Sequence, residues 1–570
     1  MNQAAADHQQ QAAGAGSRSA GSALGADRLP ASLLRWLLFF AALVLLHWPL
    51  LHLPYFWDEA GYYVPAARDI YLYGDLIPRT TLSNAHPPLV LLWIAAWWKL
   101  LGYQIIVARV AMLAVSGFAL NGVFRLASRV SCLPVAWAAV ACTALYPVYF
   151  AQSSMAHVDL AAAAFTVWGL GSYLRRERWQ TALWFAAAAL SKETAILAPM
   201  SLFAWELVQM ALLWRAGRPG ANGQPAASER AGYLANLLLH PEEAQASRIT
   251  RAAFLLLPLL PLAAWFAYHY AATGYIFGNP EFVRYNVTAT MQPTRILLAL
   301  LIRVWQAFGY EHLWLLTGLM LWAMRLPAQP DSSAAGGTRP RIAIPAQVAM
   351  LVVVLAYVCA MAVVGGAVLA RYMLPVIPLV ILPWVSTLWR RTRSWRAIVP
   401  ALCAFFALGW VWNPPYEFSP EDNLAYRDFI ELQQHGIAYL QQHHPTARVL
   451  TAWPASDELT RPFLGYVPEP RNVLRVENFT VPEMMLAAGA RNDFQVALVF
   501  STKYEPTPLL PGLRPEWDRL KSRFFDYHRD VDPAAAAAML GGRLVFEQRR
   551  QGLFVSVIEV QPIALARSGQ

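Results

Sequence analysis

The chain has 570 residues, 57% of them apolar and only 14% charged, with 23 Trp and a formal net charge of +10. A charged fraction so far below the roughly 25% of soluble domains excludes a disordered chain, a fibrous repeat and an ordinary cytosolic enzyme, and points to a polytopic membrane protein. The positive excess is mostly Arg in short segments between apolar runs, which is how a membrane protein marks its cytoplasmic side and not how a nucleic-acid groove is built.

Residues 1–30, rich in Ala, Gly, Gln and Ser, read as a disordered cytoplasmic tail. The first apolar run, Leu33–Leu53, is longer than a signal-peptide core and no small-residue cleavage site follows it, so it reads as an uncleaved anchor. Further spans are expected near 105–125, 132–150, 159–174, 179–191, 194–213, 252–272, 298–324, 342–364, 372–389 and 397–412. Arg clusters lie between alternate pairs: Arg125/Arg129, Arg175/Arg176/Arg178, Arg215/Arg218/Arg230/Arg248/Arg251, Arg325/Arg339/Arg341 and Arg390/Arg391/Arg393/Arg396. Placing these in the cytoplasm gives about eleven crossings, with the N-terminus inside and the C-terminal segment outside.

The same rule decides residues 87–101, PPLVLLWIAAWWKLL. A crossing there would invert every later Arg cluster. The stretch is short and its Trp and Lys side chains favour the headgroup level, so it is expected to lie in the outer interface. Residues 54–104 then form one long external loop with a second short helix near 60–73. Lys192 is expected at an outer hairpin between two short spans, and Tyr233–His240 along the inner surface. The cysteines, Cys132, Cys142, Cys359 and Cys403, have neither metal-knuckle spacing nor a disulfide framework.

From about 413 charges become frequent and long apolar runs stop. A helix near 422–443, short strands at 447–453, 472–477 and 495–501, helices near 481–491 and 532–540, and a hairpin over 543–560 predict an external, periplasmic α/β domain at 413–570. The expected fold class is thus an α-helical polytopic membrane protein, its transmembrane part spanning 31–412, with a C-terminal α/β soluble domain. That domain has no GxGxxG nucleotide fingerprint.

The candidate chemistry sits at the outer ends of the spans. Asp58 and Glu59 follow the first span among aromatics, an expensive place for charge. One of them suits a general base at the membrane surface; adjacent residues point to different faces of a helix, so only one is expected to face a cavity. The alternative is that Asp58 simply caps the helix that follows. Asp159 also opens a helix on the expected outer side, with the same capping alternative. Two carboxylates at one membrane face fit a shared acceptor site or a divalent cation with oxygen ligands. Outer cations are sparse: His86, Lys192, Arg284, Arg295 and Arg371, with Arg109 and Arg303 in or beside spans. Cations at membrane depth normally have partners; a lipid phosphate is one, the reading that the set as a whole favours, while snorkelling or an internal ion pair is the plainer reading for any single one.

In order along the chain, the acidic pair Asp58-Glu59, His86-Pro87-Pro88-Leu89, Gly102 with Arg109, His157-Val158-Asp159, Leu190-Ser191-Lys192 and Ala370-Arg371-Tyr372 resemble the family 39 glycosyltransferases of the GT-C type, which include protein O-mannosyltransferases and bacterial lipid A aminoarabinose transferases. The resemblance covers roughly residues 33–412. It implies a multi-pass enzyme of the cell inner membrane that moves a hexosyl or pentosyl group from a polyprenyl-phosphate-linked sugar to a lipid, glycan or protein acceptor. In the family the acid matching Asp58 is the base, with Glu59 beside it, and the aspartate matching Asp159 lines the same cavity. His86, Arg109, Lys192 and Arg371 match positions near the donor phosphate; His86 stands where bacterial members commonly carry Lys, so its charge depends on pH. No cofactor is certain, and a divalent metal stays open. The competing classes are a lipid-linked sugar flippase and a non-catalytic envelope assembly protein. An inverted repeat or matched broken spans, the marks of a carrier, are not evident in the sequence.

Overall fold

The computed structural model describes residues 29–216, 245–331, 337–506, 512 and 514–561. Most of the expected tail at 1–30 and the whole expected surface segment Tyr233–His240 lie outside the described residues. The chain is mainly helical, as its apolar runs require: in lipid only a helix or a closed barrel pairs every backbone N–H and C=O internally.

In chain order the first helices are α1 (Leu29–His47), α2 (Val64–Tyr73), α3 (Leu89–Leu101), α4 (Ile105–Val130), α5 (Leu133–Leu145), α6 (Pro147–Gln152), α7 (Asp159–Leu174), α8 (Arg178–Ser191) and α9 (Leu197–Ala216). The second group is α10 (Gln245–Leu256), α11 (Leu259–Thr273), α12 (Pro280–Asn286), α13 (Pro293–Phe308), α14 (Leu313–Ala323), α15 (Ile344–Val363), α16 (Ile377–Arg391) and α17 (Trp395–Leu408). The short helix expected near 60–73 and the one expected at 87–101 are both present.

Five described helical segments are long and apolar enough to cross a membrane, and a sixth if the pair Pro280–Thr290 and Pro293–Phe308, bent by 91°, is one broken span. Helix length and composition alone therefore support five or six of the eleven expected crossings. The expected span 132–150 is two helices, α5 and α6, parted at Tyr146-Pro147. The expected span 298–324 is also two, α13 and α14. They are parted at Gly309–His312, where Glu311 and His312 both adopt positive φ (45° and 72°). The Glu311 N–H is taken up there by the Tyr416 hydroxyl at 2.9 Å.

Side-chain contacts gather the helix ends into two groups. The 26-residue α4 spans about 39 Å at 1.5 Å per residue. Arg109 lies near its start, and Arg125 and Arg129 near its finish. The Arg125 end meets the start of α1 through Ser32, and Asn121 donates to Ser32 O at 3.2 Å. At the end of α16, Arg390 donates to Arg339 O and Arg391 to Met324 O. The starts of α4 and α7, the end of α8 and the segment before α16 collect at the other end, where the candidate residues are.

Beyond α17 come α18 (Ala425–His443), β1 (Val449–Ala452), α19 (Ala455–Thr460), β2 (Val473–Val476), α20 (Val481–Gly489), β3 (Val496–Phe500), α21 (Arg514–Phe525), α22 (Pro533–Met539), β4 (Gly542–Arg550) and β5 (Leu553–Val560). The strands form one mixed sheet in the order β2-β1-β3-β5-β4. β1 is parallel to β2 and β3, and β5 is antiparallel to β3 and β4. The fully buried β3 reads VALVF, a continuous apolar run that needs cover on both faces. α18 covers one of them, with Phe429 edge-on to Phe500 at 5.8 Å. Helices α19 and α21 have no counterpart among the expected elements; both are short and polar, with little apolar period to betray them.

The sheet region packs on the loop that follows α1. Tyr55 N–H donates to Leu464 O at 3.2 Å, the Tyr466 hydroxyl donates to Tyr55 O at 3.2 Å, and Trp453 meets Trp57 edge-on at 4.8 Å. All four cysteines are free thiols; Cys142 and Cys403 touch, Sγ to Sγ, at 3.9 Å.

Candidate active site

The site begins with a strained turn. Trp57 adopts φ 47°, a left-handed conformation that is an outlier for so bulky a residue. Its ring is gripped by Trp453 and Phe429. The turn sends the two adjacent acids to different destinations. Asp58 starts the helical turn Glu59–Tyr63 but makes no side-chain cap. Its carboxylate instead accepts from Arg371 Nη2. Asp159, the first residue of α7, is likewise free of any capping role; its Oδ1 takes the Lys192 ammonium at 2.5 Å. The capping alternative therefore holds for neither carboxylate.

Arg371 is the hub. It is 1% exposed and sits on the short turn Ala370–Met373 ahead of α16. Nη2 meets Asp58, Nη1 meets Glu421 at 2.5 Å, and Nε faces Asp159 Oδ2 at 3.4 Å. A buried guanidinium is the group best suited to several carboxylates, because its planar fork offers five donors in fixed directions. Of the three acids, Asp159 and Glu421 have side chains only 2% exposed, whereas that of Asp58 is 34% exposed. Asp58 is thus the carboxylate of the ring that an incoming molecule reaches. Lys192 lies over the Tyr372 ring at 3.8 Å. Arg371 Nε, Asp159 Oδ2 and Glu421 Oε1 are buried without a hydrogen bond.

Glu421 is the member that sequence reasoning missed. It follows the last apolar run in Pro420-Glu421-Asp422, an acidic pair just past a span, which is the same signal that singles out Asp58. Burial, opposed by Arg371 and reinforced by the nearby carboxylates, pushes its pKa up to about 8. Burial likewise lifts Asp422 to about 7, against the lowering effect of the Tyr310 hydroxyl that donates to it at 2.6 Å. His157, 3.2 Å from Arg371 Nη1, is held well below 6.5 by burial and then by Arg371, Arg109 and Lys192. It stays neutral, with the Gln152 amide oxygen at 2.7 Å as its hydrogen-bond partner on the side of Arg371.

The structure brings Asp58, Asp159, Lys192 and Arg371 into one ion network. His86 is a ring away: Nδ1 meets Glu193 Oε2 at 2.9 Å, and its imidazole stacks on Tyr63, which also packs against His157. Glu59 and Arg109, expected among the catalytic acids and the donor-phosphate cations, lie outside that network. They form a separate buried pair, 0% and 1% exposed. Arg109 grips both Glu59 oxygens at 2.8 and 3.0 Å, and the Phe56 and Ala156 N–H groups complete the carboxylate's partners at 2.9 and 2.6 Å. Arg109 also donates to the carbonyls of Leu53, Pro54 and Ser154. The pair ties the end of the first span to the segment before α7. Arg303 and Arg295 also serve backbone: the first holds Met361 O and Leu369 O, the second Gly365 O and Gly366 O. Arg284 lies on the exposed side of α12.

Among the described residues no group of three or more His, Cys, Asp or Glu side chains is set to hold a metal ion. The centre of the carboxylate ring, where a cation would be held, is filled by the Arg371 guanidinium.

No family model matches the sequence, and no curated protein matches it. Solved structures with a similar fold include ArnT from Cupriavidus metallidurans bound to undecaprenyl phosphate, at 15% identity over 92% of this chain and 98% of that one, with a TM-score of 0.47. Its apo form gives the same score and identity. The oligosaccharyltransferase of Archaeoglobus fulgidus, in complex with Zn and sulfate, aligns at 11% identity over 92% of this chain and 72% of that one, with a TM-score of 0.40.

Proposed function

We propose that the chain is an inverting membrane glycosyltransferase. It takes a sugar from a polyprenyl-phosphate donor and passes it to a lipid, glycan or protein acceptor on the outer face of the cell inner membrane. The observation that carries this reading is the uneven ring around Arg371: two sequestered carboxylates and one open one, with Lys192 bridged in through Asp159.

In this reading Asp58 removes the proton from an acceptor hydroxyl or amine. The freed electron pair forms the bond to the anomeric carbon, the bond from that carbon to the phosphate oxygen breaks, and its electrons leave on the polyprenyl phosphate. A single displacement inverts the anomeric centre. The ion pair gives the two events a common electrostatic cause. When Asp58 takes the proton it loses its negative charge, and Arg371 loses one of its three carboxylate partners. That positive charge becomes available as the leaving phosphate gains negative charge. Preset charge of this kind stabilises a transition state without reorganisation. Lys192 supplies a second cation, and His86, through Tyr63, lines the approach. Glu59 and Arg109 act as framework that sets the angle of the Asp58 turn.

The test is reconstitution in vesicles with a polyprenyl-phosphate-linked sugar, comparing native protein with Asp58→Asn. Covalent transfer with an inverted product supports the reading. Near-normal turnover by folded Asp58→Asn, or a product that keeps the donor's configuration, rules out the base and the single displacement respectively. Redistribution of intact donor between leaflets without transfer makes the chain a flippase.

A further inference from the structure

The end of the bundle opposite the ion ring holds a cavity of about 220 Å³. The 16-residue α7 separates the two. Asp159 opens it at the ring, and Tyr173 lines the cavity about 21 Å further along its axis at 1.5 Å per residue. The walls are the last turns of α4 and α7, the middle of α9, Arg251 of α10 and the start of α15. The lining contains three guanidinium groups, Arg129, Arg176 and Arg251, and no carboxylate.

Arg251 is set in place from behind. Its Nε and Nη2 meet the two oxygens of Glu206 at 2.6 and 3.1 Å, and the Tyr173 hydroxyl donates to the same carboxylate at 2.5 Å. Glu206 is fully buried and lies behind the lining, not in it. On the same helix, Arg248 donates to Gln209 Oε1 at 2.6 Å and ties α10 to α9. Arg129 and Arg176 are exposed and form the rim. Arg176 adopts φ 63° in the turn after α7, a position where helices usually end on Gly. A long cationic side chain thus stands where the backbone favours none. The floor is made of small residues, Ala346 and Ala349 of α15, which leave room above them.

Guanidinium forks without a lining carboxylate select an anion, and their planar donors suit phosphate oxygens. Two walls then continue as apolar surface. α9 and α15 belong to segments long and apolar enough to cross a membrane. Leu207 and Val208 of α9 and Leu351 and Leu355 of α15 are about half exposed. A soluble anion would use the guanidinium groups alone, whereas a lipid also covers this flank. The volume falls below the roughly 300–1,000 Å³ of drug-sized sites, which suits a phosphate with its glycerol.

We propose that this cavity binds the phosphate of an anionic phospholipid, with the acyl chains lying against α9 and α15. Basic pockets between spans are suited to lipid head groups in general. The site is separate from the ion ring and owes nothing to the transfer reaction.

The experiment is native mass spectrometry on the full chain in detergent, titrated separately with phosphatidylglycerol, phosphatidylcholine and glycerol 3-phosphate. One phosphatidylglycerol binds about tenfold more tightly than phosphatidylcholine, the size of one charge-assisted hydrogen bond, and more tightly than the tail-less glycerol 3-phosphate. Arg129→Gln combined with Arg176→Gln, at exposed positions where folding is not at stake, brings phosphatidylglycerol down to the level of phosphatidylcholine. Arg396→Gln, at an exposed arginine of α17 outside the lining, leaves the affinity unchanged. Equal binding of the two lipids, unchanged phosphatidylglycerol affinity in the double variant, or an equal loss in Arg396→Gln overturns the site. Glycerol 3-phosphate binding as tightly as phosphatidylglycerol overturns the lipid and gives the cavity to a soluble phosphate ester. No donor and no turnover enter the measurement, so its outcome is independent of the role proposed for Asp58.

Discussion

Asp58 and Glu59 are neighbours in the chain and opposites in the structure. Each meets an arginine far away in sequence, Arg371 for one and Arg109 for the other. The Glu59 pair is closed, with every carboxylate oxygen spoken for and its arginine anchored to three backbone carbonyls. The Asp58 pair is open at the carboxylate and crowded at the arginine. A closed buried pair fixes geometry, because separating it strands a charge in an apolar interior. An open carboxylate on a shared arginine can change its protonation state while the cation keeps two other partners. Under the proposed mechanism the comparison gives chemistry to one acid and architecture to the other.

Two substitutions break the comparison most sharply. Asp58→Asn keeps the size of the side chain and removes the proposed base; transfer rates should fall by about 10²–10⁴-fold with the melting temperature in detergent nearly unchanged. Glu59→Gln should do the reverse. Leaving Arg109 buried without its counter-charge costs about 3–5 kcal/mol, read as a large drop in melting temperature, while the rate per folded molecule stays within a few fold. If Glu59→Gln were stable and inactive, the roles of the two acids would have to be exchanged.

Much of this is legible in sequence. The Arg pattern puts Asp58, Asp159, Lys192 and Arg371 at one end of the bundle, and the order of short motifs names them together. What composition cannot show is which charges meet. Asp58 and Arg371 are 313 residues apart, and charge and hydropathy alone do not distinguish Arg371, which joins the ring, from Arg303, which holds carbonyls. Glu421 is hidden by the boundary expected at 413, since charge is unremarkable in a segment read as soluble. The break at Gly309–His312 is hidden because averaged hydropathy runs smoothly over four residues, although Gly309 is a breaker signal in its own right.

A smaller effect sharpens the arginine side of the comparison. Arg371→Lys keeps one charge but loses the fork that serves three carboxylates at once. Donor KM should rise and turnover fall together, by about tenfold for each charge-assisted hydrogen bond that lysine cannot replace. Arg109→Lys, by contrast, should change melting temperature and leave donor KM in place. Steady-state kinetics against donor concentration, with melting curves on the same preparations, separates the two.

The smallest effect is one of pH. Glu421 and Asp422 hold protons more tightly in the fold than in an unfolded chain: their ordinary values of 4.5 and 3.8 rise to about 8 and about 7. Linkage then fixes the sign. Their contribution to stability is complete below about pH 4 and is lost as pH rises through 7 and 8, when the folded protein must bury new negative charge. Native protein should therefore melt at lower temperature at about pH 8.5 than at about pH 6. Glu421→Gln should flatten that slope, since the amide stays neutral while still accepting from Arg371. The same deprotonation adds a full negative charge beside Arg371, the proposed partner of the donor phosphate, so donor KM should climb above about pH 8 in native protein and climb less in the variant. A variant whose melting temperature and donor KM follow native protein through this window would show that Glu421 is already ionised, and Arg371 would then carry three full negative charges before any substrate arrives.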